Sequence, residues 1–441
     1  FAQSTSSGLA GTVTGANGQP VAGADVTITH VESGTVRHAT TDASGRYAAQ
    51  GLRVGGPYTI TVNSDSGTDT ESDIYLQLNQ VATVNAQLAS AAGTLDTVVV
   101  NASRISPIFG SDNKGVGTSV SGRRLQTAVS GSRTLDEIAR LDPRITVVDS
   151  TDGSISLAGV NNRYNSIQVD GLNQGDPFGL NSNGMPYTGS PISPDTIAAY
   201  DIKASDYDVT SDSVGASINA VTKSGTNEFH GSAYYAYKNA GSMVGQILSN
   251  PSNPDSDRVD FTAFDKDTTY GATFGGPIVK DKLFFFVSAE KQKVTNIGAQ
   301  PNNGYAAGKV SDADLATVEA AATAYGLDPG IALFKNPGNT GLSLESDRYL
   351  AKLDWNITDG QRLSFTYQDT KENKPTPYDA SGSNAAYSSH YYNIDSRTKN
   401  IALQLFSDWS DNFSTEFKVS QQKFDQLAGN PLNQPMVQIS T

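Results

Sequence analysis

The sequence predicts a mainly β chain in three parts: an N-terminal β-sandwich, a mixed α/β segment, and the first part of an antiparallel transmembrane β-barrel. Three observations lead there. Short strands separated by turn residues recur over residues 8–88. A helix-start signal and short strands are then mixed over 132–227. From Phe229 on, the strands lengthen, alternate apolar with polar residues, and are joined by connections of alternating length.

The sandwich rests on turn chemistry and a period of two. Gly11-Thr12-Val13 opens a strand, and Asn17-Gly18-Gln19-Pro20 turns the chain. Ala24 to Thr29 alternates apolar and polar residues, as a half-buried strand does. Thr41-Asp42-Ala43-Ser44-Gly45 turns again, Tyr47 opens another strand, Tyr58 to Val62 alternates once more, and Val81 to Leu88 gives a last strand. Strands spaced roughly ten residues apart with Gly, Asn and Pro between them fit a small sandwich over 8–90.

Residues 91–131 read as a linker rich in Gly, Ser, Ala and Asn, broken by one β-prone island, Asp96-Thr97-Val98-Val99-Val100. The α/β segment, 132–227, starts with Thr134-Leu135-Asp136-Glu137. In this capping box the hydroxyl and the carboxylate satisfy free amides of the first turn. Leu135, Ile138 and Leu141 share a helix face and Pro143 marks the stop. Ser193-Pro194 starts a second short helix. Strands are expected at Ile155–Leu157, Ser166–Val169 and Ala199–Ala204, with a turn at Asp170-Gly171.

The barrel portion spans 228–441. Tyr349, Ala351, Leu353, Trp355 and Ile357 alternate with Lys352, Asp354 and Asn356. Phe229, Ala233, Tyr235 and Tyr237 do the same, as do Leu363, Phe365 and Tyr367, then Phe413, Phe417 and Val419. Strands of about 9–11 residues with one apolar face suit a bilayer, and Trp355 and Trp409 suit its interfaces. Short turns are expected at Val279–Lys282, Thr358–Gln361 and Ser410–Asn412, and long connections at 239–266, 294–346 and 371–396. A helix is expected inside the second long connection: Ser311 caps it, Leu315, Val318, Ala322 and Tyr325 share a face, and Gly326 ends it. About seven strands fall short of the even number, 8 or more, that closes a bacterial barrel. The chain is therefore expected to be a piece of a longer protein, and Phe1-Ala2-Gln3-Ser4 reads as the junction of a signal peptide with a mature N-terminus.

Composition removes other classes. A net charge of −14 and a pI of about 4.7 argue against nucleic acid. The chain has no cysteine, so thiol catalysis and thiolate metal sites are excluded. The four histidines, His30, His38, His230 and His390, never sit as H-E-x-x-H. No run of about 18 apolar residues provides a transmembrane helix, which leaves strands free to span. Asp201, Asp206, Asp208 and Asp212, like Asp255, Asp257, Asp260, Asp265 and Asp267, lack the spacing of a calcium loop and read as solvated or lumen-facing acidic surfaces. No catalytic, cofactor or metal set is assigned, and an enzyme is not expected.

Gly11 to Val13, Gly18-Gln19-Pro20, Ala24 to Ile28 and Thr41 to Tyr47 resemble the carboxypeptidase-regulatory-like domain, which has a transthyretin-like sandwich with a carbohydrate-binding-like fold. Val169-Asp170-Gly171 and Val214 to Asn227 resemble the second half of a TonB-dependent receptor plug. Phe229 to Ser232 and Gly275-Gly276-Pro277-Ile278 to Phe286 are similar to the first barrel strand and following hairpin of Oar-like receptors. One departure is Ser156-Leu157-Ala158-Gly159-Val160, where many plugs carry Arg-Gly; it puts the siderophore-receptor subtype in doubt.

The resemblance implies a plugged receptor of a Gram-negative outer membrane, with its sandwich in the periplasm. Its partners would be the periplasmic TonB protein, outer-membrane lipid and an extracellular substrate: a peptide, a protein or a glycan. Asp96, Thr97, Val98, Val99 and Val100 would be the TonB box, an extended segment that adds as a strand to the partner's sheet. The same island could instead close the sandwich. Surface adhesion or secretion on the same architecture is the alternative to uptake, and a secreted sugar-binding β-protein is a third reading.

Overall fold

The computed structural model describes residues 4–88, 116–121, 125, 133–149, 153–157, 159–179, 181, 183–205, 215–248, 254–261, 264–297, 310–332, 335, 340–376, 384–411, 413–430 and 432–440. The first unit holds β1 (Ser7–Thr14), β2 (Asp25–His30), β3 (Thr35–Thr40), β4 (Arg46–Leu52), β5 (Gly55–Ser64), β6 (Gly67–Leu76), β7 (Val81–Thr83) and β8 (Ala86–Gln87). Its sheets run β4-β1-β7, with β8 also on β1, and β3-β2-β5-β6. Inward residues of both, among them Leu9, Val13, Val26, Ile28, Ile60 and Leu76, form one core. Gly11 is forced by packing: a Cβ there would meet the Val84 carbonyl oxygen at 1.7 Å. Strands β3 and β6 carry little apolar signal. They form because β2 and β5 offer them ladders, and the polar β6 ends its sheet without an apolar edge.

The second unit holds β9 (Val116–Ser121), α1 (Leu135–Ala139), β10 (Ile145–Asp149), β11 (Ser154–Leu157), β12 (Ser166–Val169), β13 (Leu172–Asn173), β14 (Ile197–Ser205) and β15 (Ser217–Thr222). Five strands make a sheet ordered β13-β12-β15-β14-β9, while β10 pairs with β11. All six residues of β15 are buried, as a central strand covered on both faces requires. Asp170 and Gly171 have φ of 49° and 66°, the left-handed pair of a two-residue hairpin turn between β12 and β13. One reading needs correction, and one strand was not anticipated. Val116–Ser121, taken as linker, is an edge strand on β14, and Ile145–Asp149 is a further strand, paired with β11. Both are short segments whose pairing partners lie far off in sequence or across a turn. The second helix is a single 3₁₀ turn, Pro194–Thr196, capped by the Ser193 hydroxyl.

The third unit holds β16 (His230–Asn239), β17 (Gln246–Leu248), β18 (Arg258–Asp260), β19 (Lys266–Val279), β20 (Leu283–Thr295), α2 (Asp312–Ala324), β21 (Ser343–Thr358), β22 (Gln361–Thr376), β23 (Asn384–Ala386), β24 (Tyr392–Ser410), β25 (Phe413–Gly429) and β26 (Gln438–Ser440). Seven of these form one antiparallel sheet ordered β16-β19-β20-β21-β22-β24-β25. The three short turns fall where alternation ends. The strands, however, outrun the expected length: β21, β22, β24 and β25 have 16, 16, 19 and 17 residues. Alternation marks only the lipid-facing band. The ladder continues past it through charged residues such as Glu345, Lys371 and Arg397, where apolar periodicity has stopped. Helix α2 has its capping box between Ser311 and Asp314, and buries Leu315 and Ala322. Tyr325 does not share that face; it is the C-cap residue and points to solvent. At the same end, β23 pairs with β26 and Tyr387 packs on Val310 and Leu315.

Candidate functional site

The large sheet is inside-out by the standard of a water-soluble protein. On β21, Tyr349, Leu353 and Trp355 are 50%, 40% and 46% exposed, while Arg348, Lys352 and Asp354 between them are 5%, 7% and 1% exposed. The same inversion holds on the neighbours. Tyr270, Phe274, Val287, Ile401 and Leu403 face out, whereas Thr269, Glu290, Gln368, Thr370, Ser396 and Asn400 are buried. An apolar outer face with a polar covered inner face is what a strand needs when lipid lies on one side and protein or water on the other.

The α/β unit covers the inner face, and its contacts there are polar. Glu290 accepts from Arg348 Nη1 at 2.8 Å, Arg133 Nη2 at 2.9 Å and the Tyr234 hydroxyl at 2.8 Å. Arg348 Nε also donates to the Ser190 carbonyl at 2.7 Å, and Arg133 pairs with Asp195 while stacking on the Tyr234 ring. One carboxylate of the wall thereby ties down the start and the 190–195 segment of the unit. A second tether lies at the Asp170 turn. Asp170 accepts from the Thr222 amide and hydroxyl, Lys352 Nζ donates to the Thr222 carbonyl at 3.2 Å, and Lys418 Nζ donates to the Asp170 carbonyl at 2.7 Å. The Val169-Asp170-Gly171 motif is thus a place where the unit is held by the wall.

A third set lies toward the long connections. Gln174 and Gln368 exchange side-chain hydrogen bonds, and Thr370 donates to the Pro191 carbonyl. The Thr188 amide and hydroxyl both donate to Glu372, at 2.8 and 2.9 Å. Between this tip and the wall lies a small polar cleft lined by Asn181, Asn183, Thr188, Glu372, Lys374 and Ser396. The tip is shaped by side-chain turns: Asp176 accepts from the Phe178 and Asn181 amides, and Asn183 from the Met185 amide. The cleft offers donors and acceptors of both charges, a surface for a polar ligand rather than an apolar one.

The island Asp96–Val100 lies outside the described residues, as do Asp206, Asp208 and Asp212. Asp201 is buried, 3.7 Å from Lys203. Asp255, Asp257 and Asp260 are exposed. Among the described residues, no group of three or more His, Asp or Glu is placed to hold a metal ion. The buried His30 hydrogen-bonds Ser33 and packs edge-on against Tyr58; burial, with Arg53 and Arg362 nearby, lowers its pKa to about 3, so it is neutral. Sequence reading overlooked the tethers themselves: Arg133, Glu290, Arg348 and Lys418. For Glu290, Arg348 and Lys418 the available signal was an ionisable residue at a lumen-phase position of a membrane strand, which lipid would not tolerate on the other face; Arg133, just before α1, had no such signal.

Comparison with known proteins agrees with this geometry. Residues 8–89 match the carboxypeptidase regulatory-like domain, and residues 221–332 match an outer membrane beta barrel domain. Over 304 residues the chain is 32% identical to the TonB-dependent transporter Oar of Myxococcus xanthus, covering 65% of this chain and 26% of that protein. The chain thus spans about a quarter of that relative's length. Solved structures that are similar include the outer membrane transporter YddB of Escherichia coli, with 13% identity, a TM-score of 0.49, and 71% of this chain and 40% of that one covered. Another is the alcaligin outer membrane receptor FauA of Bordetella pertussis, with 12% identity, a TM-score of 0.43, and 72% and 40% covered. The chain is an outer-membrane β-barrel protein with an N-terminal regulatory-like sandwich, and it is related to a TonB-dependent transporter.

Proposed function

We propose that this outer-membrane barrel protein works as a TonB-dependent receptor that takes up a polar substrate, with the α/β unit as its plug and Asp96–Val100 as its TonB box. The observation that carries the reading is the inverted wall: a lipid-facing apolar surface outside, and inside it a folded unit held by ion pairs and hydrogen bonds. Hydrophobic packing would fix such a unit for good. Polar tethers can be exchanged for water, so the unit can be released when work is done on it. The outer membrane has neither nucleotide nor ion gradient, so the work comes from a partner. A Thr/Val segment between two folded units suits capture by strand addition. The substrate would first meet the cleft at Asn181, Thr188, Glu372 and Lys374, whose polarity favours a peptide or a glycan. No chemistry on the substrate is part of this reading; the protein is a carrier and not an enzyme.

The test uses the absence of cysteine from residues 1–441, with any cysteine elsewhere in the natural protein replaced by serine. In the whole natural protein, Val98→Cys is expected to form a disulfide with a cysteine in the strand-pairing edge of TonB. Deleting residues 96–100 is expected to leave outer-membrane insertion intact and to abolish TonB capture. Energised uptake that survives the deletion would sink the proposal, and an adhesive role would survive it.

A further inference from the structure

The N-terminal sandwich is not a pendant domain. It sits on the short-turn end of the large sheet, and its contacts there are of two kinds. Toward the α/β unit they are mainly apolar: Val54 and Leu78 pack with Ala199 and Val221, Asn219 donates to the Ser4 carbonyl at 2.8 Å, and Asn79 donates to the Asp201 carboxylate at 3.4 Å. Toward the wall they are ionic. Arg37 Nε lies 2.6 Å from Asp408, and its Nη1 reaches the Gly360 carbonyl in the β21–β22 turn. Arg53 lies 3.8 Å from Asp354 and donates to Asn356; Arg362 lies 3.9 Å from the same Asp354 and donates to the Gly51 carbonyl at 3.1 Å. Asn356 donates on to the Thr35 hydroxyl, and the Asn227 amide donates to the Glu32 carbonyl at 2.7 Å. The side chains of Arg53 and Asp354 are only 8% and 2% exposed, so these charges are sealed between sandwich and wall.

We propose that the sandwich is a latch across the short-turn mouth of the barrel, riding on the α/β unit and clasped to the wall by Arg37, Arg53 and Arg362, and that this clasp opens before the unit can leave the lumen. The two kinds of contact decide which one opens. Buried ion pairs give up most of their attraction to desolvation, so they fix position without binding tightly, and water repays them on separation. The apolar contact with Ala199 and Val221 has no such compensation and stays closed. Three guanidinium groups face two carboxylates in the clasp, an imbalance that further favours letting water in. In the chain, residues 96–100 fall between the sandwich and β9 of the α/β unit, so a pull on them would reach the sandwich, which the clasp holds to the wall, and the α/β unit on which it rides.

The inference rests on reading the α/β unit as the plug. A Cβ built at Gly51 would lie 3.8 Å from the Cβ of Phe406, the separation of a disulfide; because Gly51 has a φ of +70° and Phe406 stacks on Arg362, the oxidised pair is compared with its own reduced form and with each single variant. The Gly51→Cys/Phe406→Cys protein, with no other thiol among residues 1–441 and any cysteine elsewhere replaced by serine, is expected to cross-link on oxidation. The readout is potassium chloride conductance of the whole natural protein in planar bilayers, with urea loosening the unit and no TonB present. Oxidation should lower the opening frequency about tenfold and a reductant should restore it. Arg37→Glu should raise the frequency, and adding Asp408→Arg should bring it back. Failure to cross-link, or a cross-link that leaves opening unchanged, overturns the latch. A reduced protein that never conducts at any urea concentration the barrel survives overturns the plug reading, and the latch with it.

Discussion

Glu290 shows how one residue serves two units at once. With three donors on it, the carboxylate is ionised at no net cost to the wall, and each donor holds a different piece of the α/β unit or its surround. Arg348→Met removes one donor and the tie to Ser190 together. It is expected to weaken retention of the unit by roughly 3 kcal/mol, the scale of a broken buried pair. Urea titration of protease access to the unit would register it, and an unchanged midpoint would remove Arg348 from the tethers. His30 makes a pH prediction in the sandwich. Its folded pKa of about 3 lies below the unfolded value of 6.5. The unfolded chain therefore binds the proton first, and stability falls as pH drops from 6.5 toward 3. At pH 5 the loss relative to pH 8 approaches about 2 kcal/mol. His30→Gln should flatten that slope in denaturant titrations of the protein; an equally steep slope would assign the effect to other groups.

At the scale of the strand, face outweighs composition. Leu353 and Lys352 are neighbours on β21, one toward lipid and one toward the α/β unit. Leu353→Arg is expected to cost about 2–4 kcal/mol of insertion stability in vesicles. Lys352→Met should leave insertion nearly unchanged and loosen the Asp170 turn. Equal insertion losses for the two variants would mean that the faces are wrongly assigned. This alternation was legible in the sequence because side chains on a strand change sides at every residue. The full length of the strands was not, since outside the bilayer band the ladder is held by main-chain hydrogen bonds that any polar residue allows. Strand β9 was illegible for a related reason. Val116–Ser121 becomes a strand by pairing with β14, roughly eighty residues on, and nothing local distinguishes it from the Gly/Ser-rich stretch around it.

The molecule consists of three units: the wall meets the other two through polar and ionic contacts, and the sandwich meets the α/β unit mainly through an apolar patch. Each unit has apolar surface of its own to hide: the sandwich and the α/β unit in their cores, the sheet in lipid. The contacts of the sheet with the other two units use what remains, which is mainly charge and hydrogen bonding. On the proposed reading, such an assembly would stay together at rest and come apart along these seams when pulled. Deletion of residues 96–100 and the oxidised Gly51→Cys/Phe406→Cys pair probe the two ends of that chain of force. Both should stop transport, the first by removing the handle and the second by locking the seam.

The sequence by itself determined the order of the units, the turns between barrel strands and the face each strand turns to lipid. These are local or periodic properties, set by residue type and spacing. Tertiary structure alone decided that Glu290 meets Arg133 and Arg348, that Lys418 finds the Asp170 carbonyl, and that Arg37 and Arg53 meet Asp408 and Asp354 at the mouth. Those partners are separated by 58 to 371 residues in the chain, as the spacing of their numbers shows. Glu290 and Arg348 face each other across the β20–β21 ladder of one unit, but the other pairings exist only once separately folded surfaces have been brought together, and no pattern along a sequence encodes them.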